Sequence, residues 1–157
     1  MSGRRLVVVP CGRAKLTRPA PAGELYVGGQ HLLARQAADR LLVELQGVEL
    51  MILSALHGLV ALDRMLAPYD VTIVDDDAIT TFDLAAQLHD VDHIVALTPN
   101  GYTRLLLDAA AVGRLGLPRT RVVPVLAGCR GIGDQRGRLA GIRRDGLAYL
   151  RELGVAA

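Results

Sequence analysis

Four short apolar runs divide the chain, at residues 6–9, 50–53, 94–97 and 122–126, and each is followed at once by small or polar residues. The runs are rich in Val, Leu and Ile and do not alternate with polar positions, which is the pattern of strands buried on both faces. Between them the apolar spacing changes to that of helices. Residues 30–45 place Leu33, Ala37, Leu41 and Leu45 on one face, 80–88 form a shorter amphipathic set, and 102–115 bring Leu105, Leu106, Ala109 and Val112 together. A last helix over 136–153 ends at Gly154. Strand and helix therefore alternate throughout, and the expected fold is a three-layer α/β sandwich with a mostly parallel four-stranded sheet.

One stretch breaks the pattern: "VALDRMLAPYDVTIVDDD", residues 60–77. Pro68 and the acidic run forbid a long helix there, so "VTIV" is expected as a short extra strand and the rest as a loop or lid. No repeat or linker marks a boundary, and the 157 residues read as a single α/β domain.

Composition sharpens this picture. With 51% hydrophobic but only 3% aromatic residues, the core has to be built from Leu, Val, Ile and Ala. No apolar run reaches the roughly eighteen residues of a membrane span, and the apolar stretch of "MSGRRLVVVPCG" is too short for a signal peptide. A cytoplasmic protein without a membrane partner is expected. Two cysteines and four scattered histidines give neither a disulfide framework nor zinc-ligand spacing, and no cofactor or metal is expected.

The net charge of +2 hides an uneven distribution. Residues 114–144 carry eight arginines against one acid, Asp134, whereas residues 75–92 carry six aspartates. A basic C-terminal third suits an anionic partner, a nucleotide or a nucleic acid; its plainer reading is a solvated arginine-rich helix.

In an open α/β sheet ligands bind beyond the carboxyl ends of the strands. The first exit holds Cys11, Gly12, Arg13 and Lys15; the second, Ser54, His57 and Gly58; the third, Thr98 and Asn100; the fourth, Arg130. Lys15 is the only lysine beside seventeen arginines. A lysine can lose its proton when desolvated near another cation such as Arg13, which an arginine cannot, so Lys15 reads as a reactive amine, a phosphate anchor or a plain surface residue. Cys11 follows a strand and precedes a glycine, but a C-x5-R phosphatase loop fails because Arg18 comes one residue late. His57 can donate to a developing anion or pack a turn. Asp70, after Tyr69 in "APYD", can position water or simply shape a turn. The segment "GCRGIGDQRG" has neither G-x-G-x-x-G nor Walker spacing; Gly128, Arg130, Gly131 and Gly133 are left as a basic loop at a helix start, suited to phosphate.

The segments "PCGRAKL", "YVGG", "ILSALHGLV" and "APYDVTI" resemble an uncharacterised domain family of actinobacteria and their phages, defined by P-C-G/S-x-x-K and S-A-x-x-G-L motifs. More distantly the chain is similar to YaaA-type peroxide-stress proteins and to the lysine-transferring domain of archaeosine synthase. The resemblance implies a uracil-DNA-glycosylase-like core, a site lined by Cys11, Gly12, Lys15, Ser54, His57 and Gly58, and Tyr26 and Tyr69 as base-stacking residues. The archaeosine enzyme's further Ser and His residues are replaced here by "LTRPAPAG".

Together these readings give an expected enzyme acting at a nucleotide or nucleic-acid base, or its N-glycosidic bond. Lys15, His57 and Asp70 would be catalytic, and Arg130 would hold phosphate. The alternatives are a non-catalytic nucleic-acid-binding module and a small-nucleotide biosynthetic enzyme.

Overall fold

The computed structural model describes residues 3–112 and 120–157. In chain order the elements are β1 (Arg4–Pro10), β2 (Ala20–Pro21), α1 (Ala22–Leu25), α2 (Gly29–Glu44), β3 (Glu49–Ser54), β4 (Gly58–Ala61), β5 (Met65–Leu66) and α3 (Thr81–Gln87). There follow β6 (Val91–Ala96), α4 (Asn100–Val112), β7 (Arg121–Pro124), α5 (Ile132–Asp145) and α6 (Leu147–Glu152). The main sheet has five strands in the order β4-β3-β1-β6-β7. All neighbours are parallel except β3 and β4.

Side chains of the central strand alternate between two cores. Val7 and Val9 point to the layer that holds Ala34, Ala37, Ala38 and Leu41 of α2, Leu139 and Ile142 of α5 and Leu150 of α6. Leu6 and Val8 point to Leu84 of α3 and Leu106 and Ala109 of α4. Each of these strand residues is wholly buried, which is why the run shows no polar alternation. The α2 face against the sheet is made mainly of alanines; Leu33 and Leu45 pack only partly buried beside it.

The sheet has one strand more than the four expected. Gly58 adopts φ +74°, and the chain turns there so that β4 returns antiparallel to β3, with Leu53 opposite Leu59. "VTIV" is not a strand. The Asp75 carboxylate accepts the Thr72 N–H at 2.7 Å while the Asp75 N–H donates to the Thr72 carbonyl, so this segment closes as a turn and leaves Val74 86% exposed. The extra pairing lies earlier in the same stretch, where Leu66 of β5 pairs with Ala20 of β2.

The last helix is broken at Gly146, at φ +60°, where the Glu44 carboxylate accepts the Leu147 N–H at 2.6 Å and starts α6. The helix expected over 102–115 begins earlier, at Asn100, and residues 113–115, like Arg114 and Arg119, lie outside the described residues. Among the described residues no helix is long and apolar enough to cross a membrane.

Because β3 lies on one side of β1 and β6 on the other, the strand order reverses between β1 and β6. The crevice beyond their carboxyl ends is where such sheets place ligands.

Candidate active site at the sheet's reversal point

The loop after β1 is fixed from both sides. The Cys11 N–H donates to the Leu53 carbonyl at 3.0 Å, and Nδ1 of buried His31 lies 2.7 Å from the Pro10 carbonyl, to which it donates. Farther along, Leu16 N–H bonds the Leu25 carbonyl, Val27 N–H bonds the Ala14 carbonyl, and Lys15 pairs with Tyr26 across an antiparallel bridge. This local ladder sets Lys15 beside two tyrosine rings. Its Nζ is 4.4 Å from the Tyr69 ring centroid and 5.7 Å from that of Tyr26, and it donates to the Arg13 carbonyl at 3.2 Å. Burial lowers the Lys15 pKa below the ordinary lysine value, and Arg13 adds to the effect against the opposing pull of Cys11 and Asp70.

The tyrosines are held by a chain of hydroxyls. Ser54 Oγ accepts the backbone N–H groups of Leu56 and His57, at 3.3 and 3.1 Å. Its own proton therefore goes to Tyr69 Oη, 2.6 Å away, and Tyr69 donates in turn to Tyr26 Oη, also at 2.6 Å. Burial raises the pKa of both phenols, so they stay protonated. His57 meets Tyr69 edge-on, ring centroids 5.6 Å apart, and burial followed by Arg64 lowers its pKa and favours neutral imidazole.

A cavity of about 130 Å³ opens beside these groups, lined by Cys11, Gly12, Arg13, Lys15, Asp70, Val71, Thr72 and Tyr102. Tyr102 comes from the first turn of α4, and its hydroxyl lies 3.2 Å from Cys11 Sγ. Burial, then the proximity of Cys11, raises the Tyr102 pKa. Gly101 lets the 70s segment close over this corner, since a Cβ there would stand 2.8 Å from Cδ1 of Ile73.

Of the residues singled out from sequence, Cys11, Gly12, Arg13, Lys15 and Asp70 thus line one cavity. Tyr69, Tyr26, Ser54 and His57 form the hydroxyl chain and ring contacts beside Lys15. Tyr26 is only 2% exposed, with the His31 ring centred 5.2 Å from its own, so it has no open face for a base. Gly58 forms the hairpin turn under Gln87, which bonds the Leu59 N–H and the His57 carbonyl. Thr98 is fully buried against the Thr103 hydroxyl, 2.7 Å away. Asn100 opens α4 as an exposed residue, and the Arg130 N–H is held by Asp134, neither of them in the cavity lining.

Thr72 and His31 escaped sequence reasoning, and Tyr102 was given no role by it. Tyr102 stands two residues after Asn100 in the third strand exit, a place where a phenol is worth weighing; His31 reads simply as one helical position. Its Nε2 is buried without a partner among the described residues. The same residues form no cluster of His, Cys, Asp or Glu able to hold a metal ion.

No curated protein and no solved structure matches the chain. A family model does, described as a family of unknown function, DUF6884, over residues 6–119, a span that takes in every residue lining the cavity. The chain belongs to that family.

Proposed function

We propose that this chain is an enzyme acting on a nucleotide or nucleic acid, at a base, natural or modified, or at its N-glycosidic bond. The observation that carries the reading is the meeting of the Lys15 amine, the Asp70 carboxylate and the Tyr102 phenol in one cavity at the reversal point of the sheet. Its volume, about 130 Å³, is well below the roughly 300–1,000 Å³ of pockets that enclose a drug-sized molecule. It suits a single ring of a substrate whose remainder lies outside. In this role Asp70 positions water, Lys15 meets the sugar or the departing base, and protonated Tyr102 donates a hydrogen bond to the base. Arg13, at the cavity wall, offers a guanidinium to phosphate.

The kinship with glycosylase-like cores, YaaA-type proteins and the archaeosine synthase domain is part of the same proposal. It is supported by the motif "PCGRAK" at the end of the central parallel strand and "SALHG" at the end of its neighbour.

The test is a mass-spectrometric screen for base release from nucleosides, nucleotides and DNA with natural and modified bases. Release that is lost in Asp70→Asn is the expected result. No release from any of them, together with no bound nucleotide, overturns the reading.

A nucleic-acid-binding module is the second reading, and one observation favours it. Arg136 and Arg143 of α5 bond the side chains of Gln30 and Gln36, at 3.1 and 2.9 Å, rather than carboxylates, so their charge is not neutralised. This reading expects affinity for DNA or RNA that falls steeply with salt.

A further inference from the structure

Lys15 sits apart from the chain's other cations in kind and in setting. It is the sole lysine. Among the described residues it forms no ion pair within 4 Å, its one hydrogen bond is to the Arg13 carbonyl, and its ammonium nitrogen stands over the faces of Tyr69 and Tyr26. The lysine nevertheless lines the same cavity as Asp70, which can exchange protons with what is bound there.

A nucleophilic amine that forms an iminium needs two opposed things from its surroundings. Before attack it has to be neutral, and afterwards its nitrogen carries a positive charge. Partial burial and the nearby guanidinium of Arg13 favour the neutral amine. The tyrosine faces then attract the cation that forms. A phosphate anchor has no use for the first property, because a lysine that only binds phosphate is best left fully charged.

We propose that Lys15 is a nucleophile that condenses with C1′ of a sugar as its base departs, an inference that rests on the base-directed reading above. The Nζ lone pair forms a bond to C1′ while the C1′–N glycosidic bond breaks and its electron pair leaves with the base, which takes a proton from water. Asp70 accepts the proton that Nζ sheds and passes it to the ring oxygen as the C1′–O4′ bond opens, leaving an iminium and a 4′-hydroxyl. Water then adds to the iminium carbon, and its released proton neutralises the hydroxide left when the base was protonated. The carbinolamine hydroxyl passes its proton to Nζ as the C1′–Nζ bond breaks, giving back the neutral lysine and freeing the sugar aldehyde. The balance is hydrolysis, with no oxidant or reductant.

The hydroxyl chain gives this reaction its positioning. Ser54, Tyr69 and Tyr26 are bonded in series, Ser54 and Tyr26 buried and Tyr69 partly so, which fixes the ring that Nζ faces. The substrate class is a nucleoside or nucleotide, free or in a strand, and the shared chemistry of the product is a sugar aldehyde.

Iminium trapping tests this directly. The full chain is incubated with sodium cyanoborohydride and either ribose 5-phosphate or an oligonucleotide bearing an abasic site, and the reduced adduct is mapped by peptide mass spectrometry. The adduct is expected on Lys15, exceeding that on the N-terminal amine by about tenfold or more, and absent from that peptide in Lys15→Arg and Lys15→Gln proteins whose circular dichroism matches the parent. Labelling by ribose 5-phosphate points to free nucleotides, and labelling by the oligonucleotide alone points to a strand. An adduct confined to the N-terminal amine, or equal in the variants, overturns the proposal. Base release with no trappable adduct also overturns it while leaving the base-directed reading intact. An adduct on Lys15 with no base release from any nucleotide or DNA overturns that reading and leaves Lys15 as an amine that captures sugar aldehydes.

Discussion

Cys11 Sγ and Tyr102 Oη, 91 residues apart in sequence, lie 3.2 Å from each other across the line where the strand order reverses. The contact joins the exit of β1 to the first turn of α4. Tyr102→Phe removes it while keeping the ring, and should cost about 0.5–1.5 kcal/mol, read as a lower urea midpoint. The half-buried Cys11 thiol should then react faster with iodoacetamide, and buried Cys129 should not. An unchanged Cys11 rate would mean that the phenol does not shield the thiol.

The hydroxyl chain should be stiffer than its parts. Ser54→Ala leaves two backbone N–H groups and the Tyr69 hydroxyl without their partner in a fully buried place, and about 1–3 kcal/mol of stability should be lost. Tyr69→Phe breaks two bonds of the same chain. Combined with Ser54→Ala it should cost less than the two single changes added, because the bond between them is lost only once. Simple additivity in denaturant unfolding would show that the two side chains are not coupled.

Acid should weaken the fold through His31. Its ring is 1% exposed, and burial lowers its pKa beneath the ordinary 6.5. The unfolded chain therefore binds a proton that the folded chain refuses. Stability from this group is complete above about pH 6.5 and declines as the pH falls toward the depressed folded value. His57 and His93, also lowered by burial, act in the same sense. Urea midpoints measured from pH 7.5 to 5 should fall in the parent and fall less in His31→Gln; equal slopes would remove His31 from the account.

Gly58 should tolerate no side chain. At φ +74° an L-residue is strained, and a Cβ would collide with the Gln87 amide that holds the hairpin. Gly58→Ala should lose about 1–3 kcal/mol in thermal or urea unfolding. A cost no larger than a surface substitution would show that the turn relaxes freely.

The sequence carried the centre of the fold better than its edge. Strands β1, β3, β6 and β7 cover the four apolar runs to within a few residues, because a strand buried on both faces has nowhere to put polar groups. β4 was hidden because it is short, lies at the edge and shares its apolar residues with what reads as the start of a lid. "VTIV" misled in the other direction: β-branched residues favour strands, but Asp75 offered the backbone a turn instead. At the site, Lys15 was legible from its place after an apolar run and Asp70 from its place in the expected lid, while the partnership of Cys11 with Tyr102 was not. Spacing along a chain says that loops gather at one end of a sheet, and only the strand order says which two of them touch.

Arg144 pairs with Asp145, but three of the four arginines of α5 rest on uncharged partners: Arg136 on Gln30, Arg143 on Gln36, and Arg138 on the carbonyls of Val125 and Ala127. Such contacts steer a guanidinium without cancelling it. The helix therefore presents positive groups whose directions were settled when the chain folded, so an anion settling beside it would find donors already aimed, with little side-chain freedom left to surrender.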